Sequence, residues 1–309
     1  MELERIIETT VEELMRLATT DLPRDVEEAI RKYRDKEAGD TARAQMNAII
    51  EDLTVARETS TVMCQDSGFP VFYLSIGHKF DLPRSGPLGG LISQAVAKAT
   101  RDIPLRPNTV DVLTGQNTGE NTGLFAPFVN YDFIEGDWLD IAYFPKGGGS
   151  ENMTALGMLK PGQGLKGIKE FILKTVINAH SGQPCNPIVV GVGVGGGADI
   201  ALKIAKTTLL HREMGQRHPD PSIARIEEEL LDAINQIGYG PMGLGGFSTA
   251  MDVFIEFGAR HPASLPVGVA IQCWANRRAS ARIYNDGTVE HLSHRDRAVK
   301  YPIPNARGR

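Results

Sequence analysis

The residues best suited to chemistry are three cysteines far apart in a chain of 309 residues. Cys64 stands in Met63-Cys64-Gln65-Asp66-Ser67-Gly68, where a thiol, an amide, a carboxylate and a hydroxyl are consecutive. A helical segment precedes it and the apolar run 69–76 follows, so the stretch reads as a helix-to-strand loop. Such loops carry function because a rigid scaffold aims their side chains. Cys185 sits in Pro184-Cys185-Asn186-Pro187, where rigid backbone on both sides suits a ligand that must not move. Cys273 follows the apolar run 265–271. Three thiolates can satisfy three irons of a [4Fe-4S] cluster and leave the fourth open to substrate; such clusters normally take four. Two other readings stand beside this one. His261 can supply the fourth ligand of a structural zinc, although such sites usually show paired short spacings. Alternatively, the thiols are inert and buried.

Other stretches suit anions. Pro145-Lys146-Gly147-Gly148-Gly149-Ser150-Glu151-Asn152 puts three glycines before a helix-like segment, which exposes backbone amides. It lacks the Gly-Lys-Ser/Thr ending of a nucleotide P-loop. Arg106, between Pro104 and Pro107, is held on a stiff arm. Residues 115–123 form a polar loop in which Asn-Thr-Gly occurs twice. Gly191-Val192-Gly193-Val194-Gly195-Gly196 fits the dinucleotide fingerprint G-x-G-x-x-G. No acidic residue at a strand end follows about 20 positions on, so these glycines read as close helix–strand packing or an anion-facing turn. A dinucleotide-binding oxidoreductase subunit is the distant alternative.

The elements that position these residues define an α/β chain. A helical N-terminal region, 1–62, precedes a mixed α/β unit, 63–294, with Gly-rich loops at strand ends; 295–309 is a tail, and the whole reads as a single domain. Leu3, Ile6, Ile7, Leu14 and Leu17 give the first helix an apolar stripe. The run Glu227-Glu228-Glu229 reads as a solvated helix face. Asp286-Gly287 marks a hairpin turn. With 41% hydrophobic residues and a net charge of -5, a large core is expected, nucleic acid is excluded as a general partner, and an anionic substrate needs a local basic site. No run of eighteen apolar residues suggests a membrane span. The acidic amphipathic start is unlike a signal peptide, and three distant cysteines suit a reducing cytoplasm.

Four motifs occur in order: Met-Cys-Gln-Asp-Ser-Gly at 63–68, Lys-Gly-Gly-Gly-Ser-Glu-Asn at 146–152, Pro-Cys-Asn-Pro at 184–187, and His261-Pro…Ala-Ser-Leu-Pro-Val…Cys273. Together they resemble the alpha subunit, or N-terminal domain, of class I iron–sulfur fumarate hydratases and the related L-tartrate dehydratases. The resemblance implies a [4Fe-4S] cluster on Cys64, Cys185 and Cys273. It implies that Gln65, Asp66, Arg106 (with Arg101 as neighbouring candidate), Gly147, Ser150, Asn152 and His261 face a small dicarboxylate. Asp66 and His261 would be catalytic, Asp66 assisting a threonine base from the partner domain. The implied activity is the fumarate/(S)-malate step of the tricarboxylic acid cycle, with L-tartrate dehydration as alternative. Because the sequence stops before the family's C-terminal domain, a separate beta subunit is expected, in a heterotetramer built on an alpha homodimer. Little activity is expected without it.

Overall fold

The computed structural model describes residues 2–83, 86–179 and 184–295. Residues 180–183, just before the second cysteine motif, and the tail from 296 onward lie outside the described residues. The elements run α1 (Glu2–Thr20), α2 (Arg24–Lys36), α3 (Asp40–Thr59), β1 (Val71–Gly77), α4 (Leu88–Asp102), β2 (Phe128–Ile134), β3 (Trp138–Tyr143), α5 (Gly148–Glu151) and β4 (Ala155–Leu159). They continue with α6 (Gly164–Ala179), β5 (Ile188–Gly196), α7 (Ala198–His211), α8 (Pro221–Asn235), β6 (Ala250–Arg260), β7 (Leu265–Gln272), β8 (Ala279–Tyr284) and β9 (Val289–His291). This is the α/β class, with helices leading and mixed sheets following.

The chain divides into two compact units. The first comprises Met1–Arg24, Asp52–Lys146 and Arg277–Arg309, the second Asp25–Glu51 and Gly147–Asn276. The helical region expected over 1–62 is therefore shared between both units, and α3 runs through the boundary at 51/52.

In the first unit a five-stranded sheet has the order β2-β1-β3-β8-β9. β1 runs parallel to β2 and antiparallel to β3. Alternation puts Phe72, Leu74 and Ile76 of β1 on one face, where they join Leu139, Ile141 and Ile283. Ile7, Val11, Leu14 and Ala18 recur at helical spacing and cover that face together with Ile92, Val96 and Ala99 of α4. The β8–β9 hairpin turns at Asp286-Gly287, with Gly287 at φ +85.

In the second unit the order is β4-β7-β5-β6. β5 is antiparallel to β7 and parallel to β6, which it reaches through α7 and α8. The fingerprint glycines Gly191 and Gly193 lie inside β5, hydrogen-bonded on both sides. A Cβ at Gly191 would stand 2.2 Å from Ala205 O, and one at Gly193 2.2 Å from Ala201 O. They let α7 lie directly on the sheet, so their spacing reflects packing.

Glu227 corrects the reading of the acidic run. Its side chain is fully buried and accepts from Ile255 N and His218 N, both at 2.9 Å, with Arg212 Nη2 at 3.4 Å. Glu228 and Glu229, on the next positions round the helix, are exposed.

Candidate functional site

The site residues fall into two sets, one in each unit. In the first unit the Cys64 loop is pinned by Met63 N donating to Thr19 O at 3.1 Å. Asp66 Oδ1 accepts from Gly68 N at 3.0 Å and from Asn108 Nδ2 at 3.1 Å. Ser67 Oγ donates to Arg106 O at 3.1 Å. Gly68 adopts φ +89, and a Cβ there would stand 2.8 Å from Pro145 Cβ, so the turn needs glycine for conformation and for space. Phe69 and Lys146 then exchange backbone hydrogen bonds at 2.8 and 3.1 Å.

Arg106 lies on the same loop system. Its carbonyl also accepts from Asn121 Nδ2 at 3.1 Å, which fixes its backbone. Its side chain is exposed, with no hydrogen bond or ion pair among the described residues. The alternative, Arg101, is committed to Glu120. Arg106 is thus the cation on this loop available to an incoming anion.

Two residues that sequence reasoning missed complete this set. Asn108 ties Asp66 to the Arg106 arm. Arg277, only 2% exposed, donates from Nη1 to Asp66 O at 2.7 Å, while its buried Nε has no hydrogen-bond partner among the described residues. A buried guanidinium without a full complement of acceptors is costly. The signal available was the Arg277-Arg278 pair four residues past Cys273.

In the second unit, antiparallel pairing of β5 with β7 puts the start of one beside the end of the other, with Val189 opposite Gln272. The loop before β5 carries Cys185 and the one after β7 carries Cys273. Trp274 N donates to Cys185 O at 3.1 Å, which joins the two loops directly. Asn186 Nδ2 donates to Thr249 O at 3.3 Å and Asn186 O accepts from Met242 N at 3.1 Å. The buried Glu37 carboxylate supports that neighbourhood by accepting from Ser248 N at 2.6 Å and Phe247 N at 3.0 Å.

Gly147 is the N-cap of the single-turn α5. Ser150, 2% exposed, has Oγ 3.0 Å from both Gly147 O and Gln272 Oε1, which anchors α5 to the end of β7 next to Cys273. Asn152 caps α5 through its backbone and leaves its side chain exposed. His261 is placed differently. It lies in the turn before β7, whereas Cys273 lies after it, and eight extended residues span roughly 27 Å. Its Nδ1 accepts from Ala263 N at 3.1 Å, within its own turn. The structure does not bring His261 to the Cys185–Cys273 end of its unit.

All three cysteines are thiols rather than disulfides; Cys185 is exposed, and Cys64 and Cys273 are half-buried. This overturns the burial that the inert-thiol reading expects. The zinc reading also fails in this unit, because His261 and Cys273 lie at opposite ends of β7. Among the described residues no group of three or more His, Cys, Asp or Glu side chains could hold a metal ion. The donor set itself, accessible thiols on loops fixed by backbone hydrogen bonds, fits a thiolate-held iron–sulfur group.

These features define an α/β protein with a thiol-, carboxylate- and arginine-bearing loop system. The chain belongs to the Fumarate hydratase (Fumerase) family, which it matches over residues 8–282. It is 50% identical over 282 residues to a Methanocaldococcus jannaschii protein named "Putative L(+)-tartrate dehydratase subunit alpha", covering 91% of this chain and 98% of that one. It is 34% identical over 279 residues to the L(+)-tartrate dehydratase subunit alpha of Escherichia coli strain K12, covering 90% and 91%. No helix among the described residues is long and apolar enough to cross a membrane.

Proposed function

We propose that this chain is the alpha subunit of a cytoplasmic [4Fe-4S] hydro-lyase that interconverts fumarate and (S)-malate, its active site completed by a beta subunit. The observation that carries this reading is the Asp66 clamp: a carboxylate next to a half-buried thiol, oriented by Gly68 and Asn108, on a loop bonded to the arm of an exposed arginine. Membership of a hydro-lyase family and the subunit names of the relatives support it.

Cys64, Cys185 and Cys273 would hold the cluster, which when bound supplies a Lewis-acidic iron for the departing hydroxyl. The chain's own residues do the rest of what it contributes. The Arg106 guanidinium takes one substrate carboxylate, for which its fork geometry is matched. Gln65, Ser150 and Asn152 supply amide and hydroxyl contacts, Ser150 oriented by Gln272. Asp66 assists removal of the proton from the carbon next to the one that loses hydroxide, its Oδ1 fixed by two donors.

A second reading, dehydration of L(+)-tartrate, is favoured by the names of both relatives. The two substrates differ by one hydroxyl, so a single experiment separates them. The chain is purified anaerobically, loaded with iron and sulfide, mixed with the same organism's beta subunit, and assayed on fumarate, (S)-malate and L(+)-tartrate. Preferred turnover of fumarate and malate supports the first reading, and preferred turnover of tartrate the second. Iron-free protein with no turnover of any of the three would overturn both.

A further inference from the structure

The loop between Pro107 and Pro127 holds two turns that aim apolar side chains away from the fold. Asp111 N–Gln116 O and Gly115 N–Asp111 O, both 2.8 Å, close the first, whose Val112 and Leu113 are each 92% exposed. Gly123 N–Ala126 O at 2.9 Å and Ala126 N–Gly123 O at 3.1 Å close the second, whose Leu124 and Phe125 are 90% and 79% exposed. Phe125 adopts φ +57, a left-handed conformation unusual for an aromatic residue. Phe128, half-exposed at the start of the edge strand β2, follows directly.

The two turns share one base. Thr118 N donates to Thr109 O at 3.1 Å, and a Cβ at Gly123 would meet the methyls of Thr109 and Thr118 at 3.4 and 3.6 Å. That base is rooted in the candidate site. Asn117 Nδ2 donates to Pro107 O at 2.7 Å, Asn121 bonds both Arg106 O and Asn108 N, and Asn108 holds Asp66. The five apolar side chains present on the order of several hundred Å² to solvent, a large share of the ~800 Å² per partner of a standard interface.

The loop's own charges are acidic, although Glu120 and Asp140 are ion-paired with Arg101 and Arg282 and Arg106 stands at the root. Residues 107–145 contain six acidic side chains and no Lys, Arg or His. Asp111, beside the first turn, is held below the usual carboxylate range by hydrogen bonds from Thr114 and Leu113. In an isologous contact between two copies, the acidic rims would meet each other. A different chain with a basic rim fits instead.

We propose that the turns at 111–115 and 123–126 dock the subunit that completes the catalytic site, a chain offering apolar side chains inside a rim of Lys and Arg. This rests on the alpha-subunit reading above. The partner that finishes a site at Asp66 and Arg106 has to sit beside the loop rooted there.

The test is binding of the full-length chain to the same organism's homologue of L(+)-tartrate dehydratase subunit beta, followed by sedimentation velocity and by turnover. Leu113→Asp and Phe125→Asp are expected to weaken the complex by at least tenfold. Val55→Asp, at an exposed apolar position of α3, stays within twofold of wild type. Unfolding temperatures of the variants are checked against wild type, and the two loop variants act as independent probes. Absence of a complex, wild-type affinity in both loop variants, or an equal loss in Val55→Asp overturns the proposal. So does a self-associating chain that Leu113→Asp turns monomeric, because the face then belongs to a second copy. Loop-dependent binding without turnover of fumarate, malate or tartrate keeps the docking surface and removes the hydro-lyase reading. Turnover in a complex the loop variants do not weaken does the reverse.

Discussion

The two units fix their candidate residues by different physical means. In the first, Asp66 is held by side chains reaching between loops: Asn108 and Arg277 each contribute a hydrogen bond from a distant part of the sequence, and the neighbouring Ser67 ties the loop to Arg106 O. In the second, the Cys185 and Cys273 loops are set by strand register, because β5 begins where antiparallel β7 ends. A hydrogen bond contributes about 0.5–1.5 kcal/mol and can be removed singly. A register moves all at once. The loop-built set should therefore lose function in graded steps with the fold intact, and the sheet-built set should fail with its unit.

The largest effect expected is Asp66→Asn. Asparagine keeps the acceptor for Gly68 and Asn108 but cannot take a proton. Turnover of the iron-loaded complex should fall by about 10²–10⁴-fold, while iron content and unfolding temperature stay at wild-type values. Unchanged turnover would take Asp66 out of the mechanism and leave the loop a structural turn.

Gly193→Ala probes the other unit. The added methyl would stand 2.2 Å from Ala201 O, a backbone atom that cannot step aside without moving α7. The cost should be about 3 kcal/mol or more, read as a lower unfolding temperature and faster labelling of Cys185 and Cys273 by a thiol reagent. Stability and thiol protection should fall together. Faster labelling at an unchanged unfolding temperature would break the claim that register alone sets these loops.

Asn108→Ala is the smaller counterpart in the first unit. It removes the donor to Asp66 Oδ1 and the 3.2 Å contact to Gly68 O. Stability should drop by about 1–2 kcal/mol, and turnover by roughly tenfold if a loosened Asp66 is misplaced by even part of an ångström. A loss as large as that of Asp66→Asn would mean that Asn108 touches substrate itself.

The same contrast explains what the sequence could tell. The α1 stripe, the β5 run and the Asp286-Gly287 turn are local patterns, and each is found in the structure. So are the loop positions of all three cysteines. Asn108 and Arg277 were invisible because their partners lie 42 and 211 residues away and leave no periodic trace. His261 shares a motif with Cys273, and the resemblance puts both at one site, but the strand between them is extended and carries the two apart. Glu227 shows the same limit: a run of three like charges hid one that a helix turns inward to meet β6.

The smallest effect lies in the second unit and depends on pH. Burial, with the Asp252 carboxylate adding to it, pushes the Tyr33 hydroxyl up from 10.0 to about 12. Because the folded-state value is raised, the neutral phenol favours the folded chain. Its contribution is fully present below the unfolded-state value near 10 and is lost as pH rises toward the folded-state one. Unfolding measured between pH 10 and 12 should therefore show stability falling by up to ~1.4 kcal/mol per pH unit from this group. Tyr33→Phe should flatten that slope while retaining the ring's stacking on Phe247 at 6.4 Å. Register-set loops should move with this loss of stability, so Cys185 and Cys273 should react faster with a thiol reagent over the same interval than they do in Tyr33→Phe. The Asp66 clamp, held by neutral amides that do not titrate there, should not follow Tyr33.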